Sequence, residues 1–459
     1  MNLLWTSIHF QLKRKNSVRS EEVIMRKYKD MSREELLIEK KSLEKQFEAV
    51  KAKRLKLDMS RGKPSRQQLE LSNGMMNVLN SDAYFNDETG TDCRNYGILT
   101  GIPEAKRLMG KMSEVCPEDM IICGNSSLNV MFDTIAHSFS HGVCGSKPWG
   151  LVENRKWLCP VPGYDRHFKI TEAFGFQMIN IPMTPEGPDM DMVEDYVNND
   201  SGVKGIWCVP KYSNPQGYCY SDETVRRFAN LKPAAKGFRI YWDNAYSIHH
   251  LYEEEEDQET ILEILDECRK AGNPDIVYKF ISTSKVTFPG SGIAAIATSR
   301  LNLADIEAYM SVQTIGHDKL NQLRHVRFFG NFENMKEHMM RHAAILRPKF
   351  ELIESALDRE IGDLEIGTWT KPKGGYFISF DSLDGCAKKI VAKAAEGGVR
   401  LTEAGATFPY GRDPRDRNIR IAPSYPTEKD LRKAADVFIL AVKLVSVNKF
   451  LQDIENANH

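Results

Sequence analysis

Seven short apolar runs between residues 84 and 300 constrain the fold more than any other feature of the chain. They lie at 120–123, 157–159, 178–182, 205–209, 238–242, 277–281 and 293–297. The runs are apolar almost throughout instead of alternating with polar residues, which is typical of strands buried on both faces of a mainly parallel sheet. Helical segments separate them, and one begins at Pro103, a residue favoured in the first helical turn. Residues 84–300 are therefore predicted to form a large three-layer α/β domain.

The sequence that follows predicts a smaller α+β domain. Residues 302–360 are strongly helical in pattern. Strand-like runs then lie at 364–369, 376–381 and 399–401. A last helix is predicted from Thr427 to about Val445. We therefore assign residues 301–459 to interdomain helices and a small C-terminal domain.

The N-terminal region divides into an extension and a helix. Residues 1–30 are basic, polar and weakly patterned, and we expect them to form a poorly ordered extension. Ser32 and Glu35 have the spacing of a capping box, which predicts that a helix begins here. The helix and the loop after it, residues 31–83, are expected to pack on the small domain.

Charge, hydropathy and cysteine spacing exclude several classes of protein. The 459 residues include 62 Lys and Arg against 63 Asp and Glu, so the balance gives no electrostatic argument for a nucleic-acid partner. No apolar stretch approaches the ~18 residues of a membrane-spanning helix. The nine cysteines contain no C-x-x-C pair, so the spacing suggests neither a zinc site nor a disulfide framework. We interpret the chain as a cytoplasmic enzyme with reduced thiols, no metal and no membrane partner.

The segment S-T-S-K-V-T-F-P-G-S-G is the sharpest chemical motif. Ser282, Ser284 and Lys285 come directly after the apolar run 277–281. A lysine in that position is as well explained by a solvated loop, if it is taken alone. The small hydroxyl residues before it and the Pro-Gly turn after it favour a tight polar pocket. A partly desolvated lysine in such a pocket can act as a nucleophile and form a Schiff base.

Three further motifs follow other predicted strands. Asp243, in Y-W-D-N-A-Y, lies just past the run 238–242, where open parallel sheets place their ligands. Ser126 and Ser127, in C-G-N-S-S-L, stand at a strand-to-helix turn whose amides suit a phosphate. Asn214, in Y-S-N-P-Q-G, follows the run 205–209. A helix cap or an ordinary turn explains each of them equally well in isolation.

The order and spacing of the motifs resemble fold-type I pyridoxal-phosphate (PLP) enzymes. Over about residues 58–445 the chain resembles class I aminotransferases, in particular the aspartate aminotransferase-like branch related to the aminotransferase domain of MocR-type regulators. The segments that carry the resemblance are N-Y-G-I-L-T-G, G-N-S-S-L, P-G-Y-D-R-H-F, S-N-P-Q-G, D-N-A-Y, S-T-S-K, K-P-K-G-G-Y-F and R-I-A-P-S-Y-P. The resemblance implies the PLP-dependent transferase fold and pyridoxal 5'-phosphate as the cofactor.

The resemblance also implies catalytic roles for three residues. Lys285 is similar to the lysine that forms the Schiff base with the cofactor, and that lysine then moves the proton at the substrate α-carbon. Asp243 would pair with the pyridine nitrogen and keep it protonated, which makes the ring an electron sink. Tyr164 would stack on the ring.

The remaining implied contacts hold the cofactor and the substrate. Those to the phosphate would come from Ser126, Ser127, Ser282, Ser284 and Tyr96, the last reaching over from the partner subunit of a homodimer with shared active sites. Tyr246 and Asn214 would donate to the phenolic oxygen of the cofactor. Arg420 would bind the substrate α-carboxylate as a bidentate fork, with Asn214 beside it.

One departure from the family pattern concerns the phosphate. These aminotransferases usually carry an arginine shortly after the Schiff-base lysine, where it binds the phosphate. Here the segment is P-G-S-G-I-A, and no arginine occurs before Arg300. We expect the phosphate to depend on helix-terminal amides and on hydroxyls such as Ser291, together with a basic group that the sequence does not identify.

The implied function is transfer of an amino group between an amino acid, aspartate or glutamate, and a 2-oxo acid such as 2-oxoglutarate. A dicarboxylic donor needs a second cation, for which Arg61 and Lys63 in S-R-G-K-P-S are candidates, although a solvated basic loop explains them as well. The alternatives are a different amino donor, another PLP reaction such as that of a lyase or decarboxylase, and a non-catalytic PLP-binding regulator.

Overall fold

The computed structural model describes residues 26–457. The expected extension over 1–30 therefore lies mostly outside the described residues. Its last part belongs to the folded chain: Tyr28 is buried, and its hydroxyl donates to Glu39 Oε1 at 3.0 Å. The predicted capping box is confirmed, since Ser32 accepts from the Glu35 amide and the Glu35 carboxylate accepts from the Ser32 amide.

Residues 26–457 contain thirteen strands and thirteen α-helices. The strands are β1 (Leu57–Asp58), β2 (Met120–Ile122), β3 (Lys156–Val161), β4 (Gln177–Thr184), β5 (Gly187–Pro188), β6 (Val203–Cys208), β7 (Arg239–Asp243), β8 (Val277–Ser282), β9 (Ala294–Ala297), β10 (Gly367–Trp369), β11 (Ile378–Ser382), β12 (Val399–Arg400) and β13 (Asn418–Ile421). The helices are α1 (Arg33–Lys51), α2 (Arg66–Glu70), α3 (Pro103–Ser113), α4 (Ser127–His141), α5 (Asp165–Ala173), α6 (Met190–Asn199), α7 (Asp222–Ala229), α8 (Ile264–Lys270), α9 (Arg300–Gln313), α10 (Lys319–Phe329), α11 (Phe332–Ile361), α12 (Ala387–Glu396) and α13 (Glu428–Ala457).

The main sheet has eight strands in the order β2-β9-β8-β7-β6-β3-β4-β5. The five strands from β8 to β4 are parallel, whereas β9 is antiparallel to both of its neighbours and β5 is antiparallel to β4. Successive side chains of β7 enter two different hydrophobic cores: Ile240 and Trp242 pack in one, and Tyr241 packs in the other. Because each face of the sheet has its own helical layer and core, the three-layer α/β prediction is confirmed.

The smaller antiparallel sheet has the order β10-β11-β13. It shares one core with α1, α11, α12 and α13, and Leu43 and Phe47 of α1 are buried in that core. A short parallel pair, β1 with β12, places Asp58 opposite Arg400. The loops that follow the two strands are also in contact, since Thr402 Oγ1 donates to the Ser60 carbonyl oxygen at 2.7 Å.

Three short strands were not predicted, namely β1, β5 and β13. The first two have only two residues each, and β13 (N-I-R-I) alternates polar and apolar residues in a segment that resembled a binding motif. The last helix is longer than predicted, because no Gly or Pro interrupts the sequence after Val445 and Leu451 is still buried. No helix of the described residues is long and apolar enough to span a membrane.

Candidate active site

A cavity of about 460 Å³ opens at the carboxyl ends of β6, β7 and β8. These three strands are parallel neighbours, so the residues that end them or follow them lie at one edge of the sheet. Asp243 is the last residue of β7 and Ser282 the last of β8. Phe377, just before β11, and Arg420, on β13, bring the smaller sheet into the lining of the same cavity.

Ten of the eleven predicted site residues line this cavity. They are Ser126, Ser127, Tyr164, Asn214, Asp243, Tyr246, Ser282, Ser284, Lys285 and Arg420. Tyr96 does not line it, and its side chain is 79% exposed at the surface of the chain. Of the two candidate cations in the N-terminal loop, Arg61 lines the cavity, whereas the Lys63 ammonium lies 3.9 Å from the centre of the Tyr425 ring.

Lys285 lies on the sheet side of the cavity, three residues after β8. Its Nζ is 4.7 Å from the centre of the Tyr246 ring and 5.9 Å from that of Tyr376. Loss of hydration lowers the pKa of Lys285 below its ordinary value; the Asp243 carboxylate opposes this change and the Arg420 charge adds to it. A lowered pKa favours the neutral amine, which is the form that attacks a carbonyl carbon.

The two carboxylate oxygens of Asp243 have different surroundings. Asp243 Oδ2 lies 3.0 Å from His167 Nε2, and the His167 ring stacks on Trp207 with ring centres 4.3 Å apart. Asp243 Oδ1 is buried and has no hydrogen-bond partner among the described residues. Because Asp243 lines the cavity, this oxygen is available to a cationic N–H of a bound molecule.

Arg420 of β13 is buried and paired. Its Nη1 donates to Asp165 Oδ1 at 2.8 Å and to Asn214 Oδ1 at 3.2 Å. Its Nη2 has only a weak contact of 3.4 Å with Thr402 Oγ1, and its Nε is buried without a partner among the described residues. The Nη2 and Nε groups of Arg420 therefore remain available to donate to the carboxylate of a bound molecule.

Hydroxyl groups and helix-terminal amides line a second part of the cavity wall. Ser126 is the N-cap of α4, but its side chain accepts no capping hydrogen bond. The plain N-cap interpretation is therefore insufficient, because this hydroxyl is not used to cap the helix. Ser126, Ser127, Ser282 and Ser284 together form a neutral donor set suited to an anion.

Two tyrosines of the cavity have raised pKa values. Burial raises the pKa of Tyr164 to about 12, with a further contribution from the Asp165 charge. Burial also raises the pKa of Tyr246 well above its ordinary value. Both hydroxyls therefore stay protonated at neutral pH and can act as hydrogen-bond donors.

Several residues of the site were not predicted from the sequence. His167 and Asp165 lie within P-G-Y-D-R-H-F, and their signal was their position at and near the start of α5, close to Tyr164. Arg166 and Arg400 also line the cavity and add positive charge. Arg400 carried no signal, because it enters the site through the pairing of β12 with β1.

Known proteins are similar to this chain over most of its length. The aspartate amino-transferase family model matches residues 31–454. An aspartate aminotransferase of Corynebacterium glutamicum is 41% identical over 367 residues, which cover 80% of this chain and 84% of that protein. A Mycolicibacterium smegmatis protein assigned as an aminotransferase is 42% identical over 384 residues, which cover 83% of this chain and 89% of that protein.

The fold has a close structural counterpart. The crystal structure of an aspartate transaminase from Corynebacterium glutamicum superposes with a TM-score of 0.89 at 39% identity, covering 93% of this chain and 99% of the other. The family model spans most of the chain, and the relatives match over most of their own length. The chain therefore belongs to the aspartate aminotransferase family.

Proposed function

We propose that this aminotransferase uses pyridoxal 5'-phosphate to move an amino group between aspartate or glutamate and a 2-oxo acid such as 2-oxoglutarate. One observation carries the proposal: the Lys285 amine, the unpartnered Asp243 Oδ1 and the Arg420 guanidinium line a single cavity. The choice of donor draws support from the Corynebacterium glutamicum relative, which is named an aspartate aminotransferase.

The residues of the cavity fit the cofactor. The buried Asp243 Oδ1 needs a cationic donor, and a protonated pyridine nitrogen is one. When bound, the cofactor withdraws electrons from the α-carbon of the amino acid. Asp243 holds the proton at the ring nitrogen, His167 orients that carboxylate, and the amine of Lys285 moves the proton at the α-carbon.

Other residues of the cavity orient the bound molecules. Tyr164 would stack on the pyridine ring, and Tyr246 and Asn214 would donate to its phenolic oxygen. The phosphate would accept from Ser126, Ser127, Ser282 and Ser284.

The proposal is tested by mixing the purified protein with single amino acids and 2-oxo acids. We expect aspartate to remove the absorbance of the lysine-bound cofactor and to yield oxaloacetate, with glutamate formed when 2-oxoglutarate is added. Release of CO₂ or ammonia in place of amino-group transfer would favour a decarboxylase or a lyase. A spectral change without any product would favour a PLP-binding regulator.

Arg420→Ala is expected to weaken every amino donor by a similar factor, because all donors share the α-carboxylate. Loss of a charge-assisted contact costs about 1.5–3 kcal/mol, or roughly ten- to a hundred-fold in kcat/KM. The measurement is kcat/KM for aspartate, glutamate and alanine. Arg415→Ala is the matched control, since Arg415 is exposed and paired with Asp384. Loss confined to dicarboxylic donors would contradict this role.

Arg61→Ala is expected to lower the preference for aspartate over alanine by about tenfold, because Arg61 is a cavity-lining cation suited to a side-chain carboxylate. Lys63→Ala is the matched control from the same loop and should leave the preference unchanged. Arg166→Ala and Arg400→Ala complete the series of cavity-lining arginines. A parent protein that prefers alanine or aromatic donors would contradict the dicarboxylate assignment.

Two further parts of the proposal concern assembly and location. We infer a homodimer with shared active sites, because Tyr96 is exposed and does not line the cavity of its own chain. We infer a cytoplasmic enzyme, because all nine cysteines are free thiols. Sedimentation of the purified protein tests the first of these, and fractionation of the cells that produce it tests the second.

A further inference from the structure

The phosphate end of the proposed cofactor site needs a positive charge that the sequence did not identify. A phosphate ester carries roughly −1.5 to −2 charges at pH 7, whereas the serines facing the cavity are neutral. Arg300 is the first arginine after Lys285, but it starts α9, is 69% exposed and pairs with Asp119 at 3.2 Å. It therefore does not fill the role.

Arg324 of α10 contacts the turn that follows Lys285. Its Nη2 donates to Ser291 Oγ at 2.6 Å and also to Asn321 Oδ1. Asn321 in turn donates from Nδ2 to the Gly292 carbonyl oxygen at 2.7 Å. Through these contacts the Asn321 amide and the Arg324 guanidinium, both on α10, bind residues 291–292.

The same turn packs against the loop that precedes α4. Asn125 Nδ2 donates to the Gly290 carbonyl oxygen at 3.4 Å. A Cβ atom placed on Gly292 would lie 3.5 Å from the Asn125 carbonyl oxygen. Ser291 lies between these two glycines, so the turn that Arg324 contacts packs against the turn that carries Ser126, although neither Ser291 nor Arg324 lines the cavity itself.

The charge of Arg324 has no protein counter-ion. Its partners are a hydroxyl and an amide, and no carboxylate of residues 26–457 forms an ion pair with it. Its Nε is buried without a hydrogen-bond partner in that part of the chain. A half-buried guanidinium in neutral surroundings is costly unless an anion lies nearby.

We propose that Arg324, together with the Ser291 hydroxyl that it holds, is the cationic partner of the cofactor phosphate and takes the place of the arginine that the family carries after its Schiff-base lysine. This proposal rests on the proposed function, since it requires PLP in the cavity. It also explains why a turn without arginine is compatible with a phosphate: the charge comes from α10.

The test compares PLP with pyridoxal, which has the same ring but no phosphate. The cofactor is removed from the purified full-length protein, and the dissociation constant of each compound is measured by absorbance titration. Arg324→Gln is expected to raise the dissociation constant of PLP about tenfold or more and to leave that of pyridoxal unchanged. Arg324→Lys should raise the PLP value less, because the charge remains. Arg300→Gln is the matched control and should change neither value.

Several results would overturn the assignment. An unchanged PLP affinity in Arg324→Gln would do so, and so would an equal loss for PLP and pyridoxal, since that would indicate a structural role. If Arg324→Gln does not fold, Ser291→Ala removes the hydroxyl that accepts from Arg324; it should weaken PLP alone, and unchanged PLP binding would refute the proposal. A parent protein that does not bind PLP would instead refute the proposed function.

Discussion

Lys285→Ala is expected to abolish amino-group transfer. No other lysine of the described residues lines the cavity, so no neighbouring amine can replace it. In the proposed reaction the substitution removes both the nucleophile and the group that would move the proton at the α-carbon. Proton transfer alone accounts for roughly 10²–10⁴-fold in rate, and the loss of the covalent link adds to this. Activity should therefore fall below detection in a steady-state assay.

The same variant should still bind the cofactor without a covalent bond, because the other contacts remain. Borohydride reduction followed by peptide mapping is expected to place the pyridoxyl group on Lys285 in the parent protein and on no peptide of Lys285→Ala. Lys63→Ala, whose side chain lies over Tyr425 outside the cavity, should be labelled like the parent. Labelling of a different lysine in the parent protein would contradict the assignment.

Much of the fold could be predicted because its strands carry a local signal. All seven apolar runs contain strands, since a strand buried on both faces must be apolar along its whole length. The strands that were missed are short or depend on distant partners. β1 has only two residues and pairs with β12, more than 300 positions away in the chain, so nothing local indicates β1, whereas the strand-like run at 399–401 did indicate β12.

The site was predictable where a motif followed a strand, and less so where contacts cross the fold. Lys285 and Asp243 stand at the ends of neighbouring strands, so the topology brings them together. The pairing of Asp165 with Arg420 joins α5 to the small sheet, and nothing local predicts it. Arg324 also gives no signal in the sequence, because its contact with Ser291 comes from the way α10 packs on the turn after Lys285.

The contact between His167 and Asp243 orients the carboxylate that the proposed reaction uses. His167 is buried, stacked on Trp207, and lies 3.0 Å from one carboxylate oxygen of Asp243. This contact orients the carboxylate, and Oδ1 stays buried without a hydrogen-bond partner among residues 26–457. A buried acceptor without a partner is costly, and a protonated ring nitrogen removes that cost on binding. In the proposed reaction, cofactor binding and activation of the ring would therefore depend on the same oxygen atom.

Asp243→Asn is accordingly expected to retain PLP and to lose most of its activity. The amide matches the shape of the carboxylate but has no charge with which to keep the ring nitrogen protonated. Loss of a charge-assisted bond costs about 1.5–3 kcal/mol, or roughly ten- to a hundred-fold in rate, before the weaker electron withdrawal by the ring is counted. The measurement is kcat for aspartate at saturating PLP, together with the absorbance of the bound cofactor.

His167→Gln is the informative companion to that variant, because it keeps the Asp243 charge and removes only the imidazole that orients it. If the charge is what the reaction needs, His167→Gln should lose much less activity than Asp243→Asn, and its bound cofactor should keep the parent spectrum. Equal losses in the two variants would mean that orientation of the carboxylate, and not its charge, limits the reaction. Near-parent turnover in Asp243→Asn would remove Asp243 from the reaction altogether, since the amide can supply the shape of the carboxylate but not its charge.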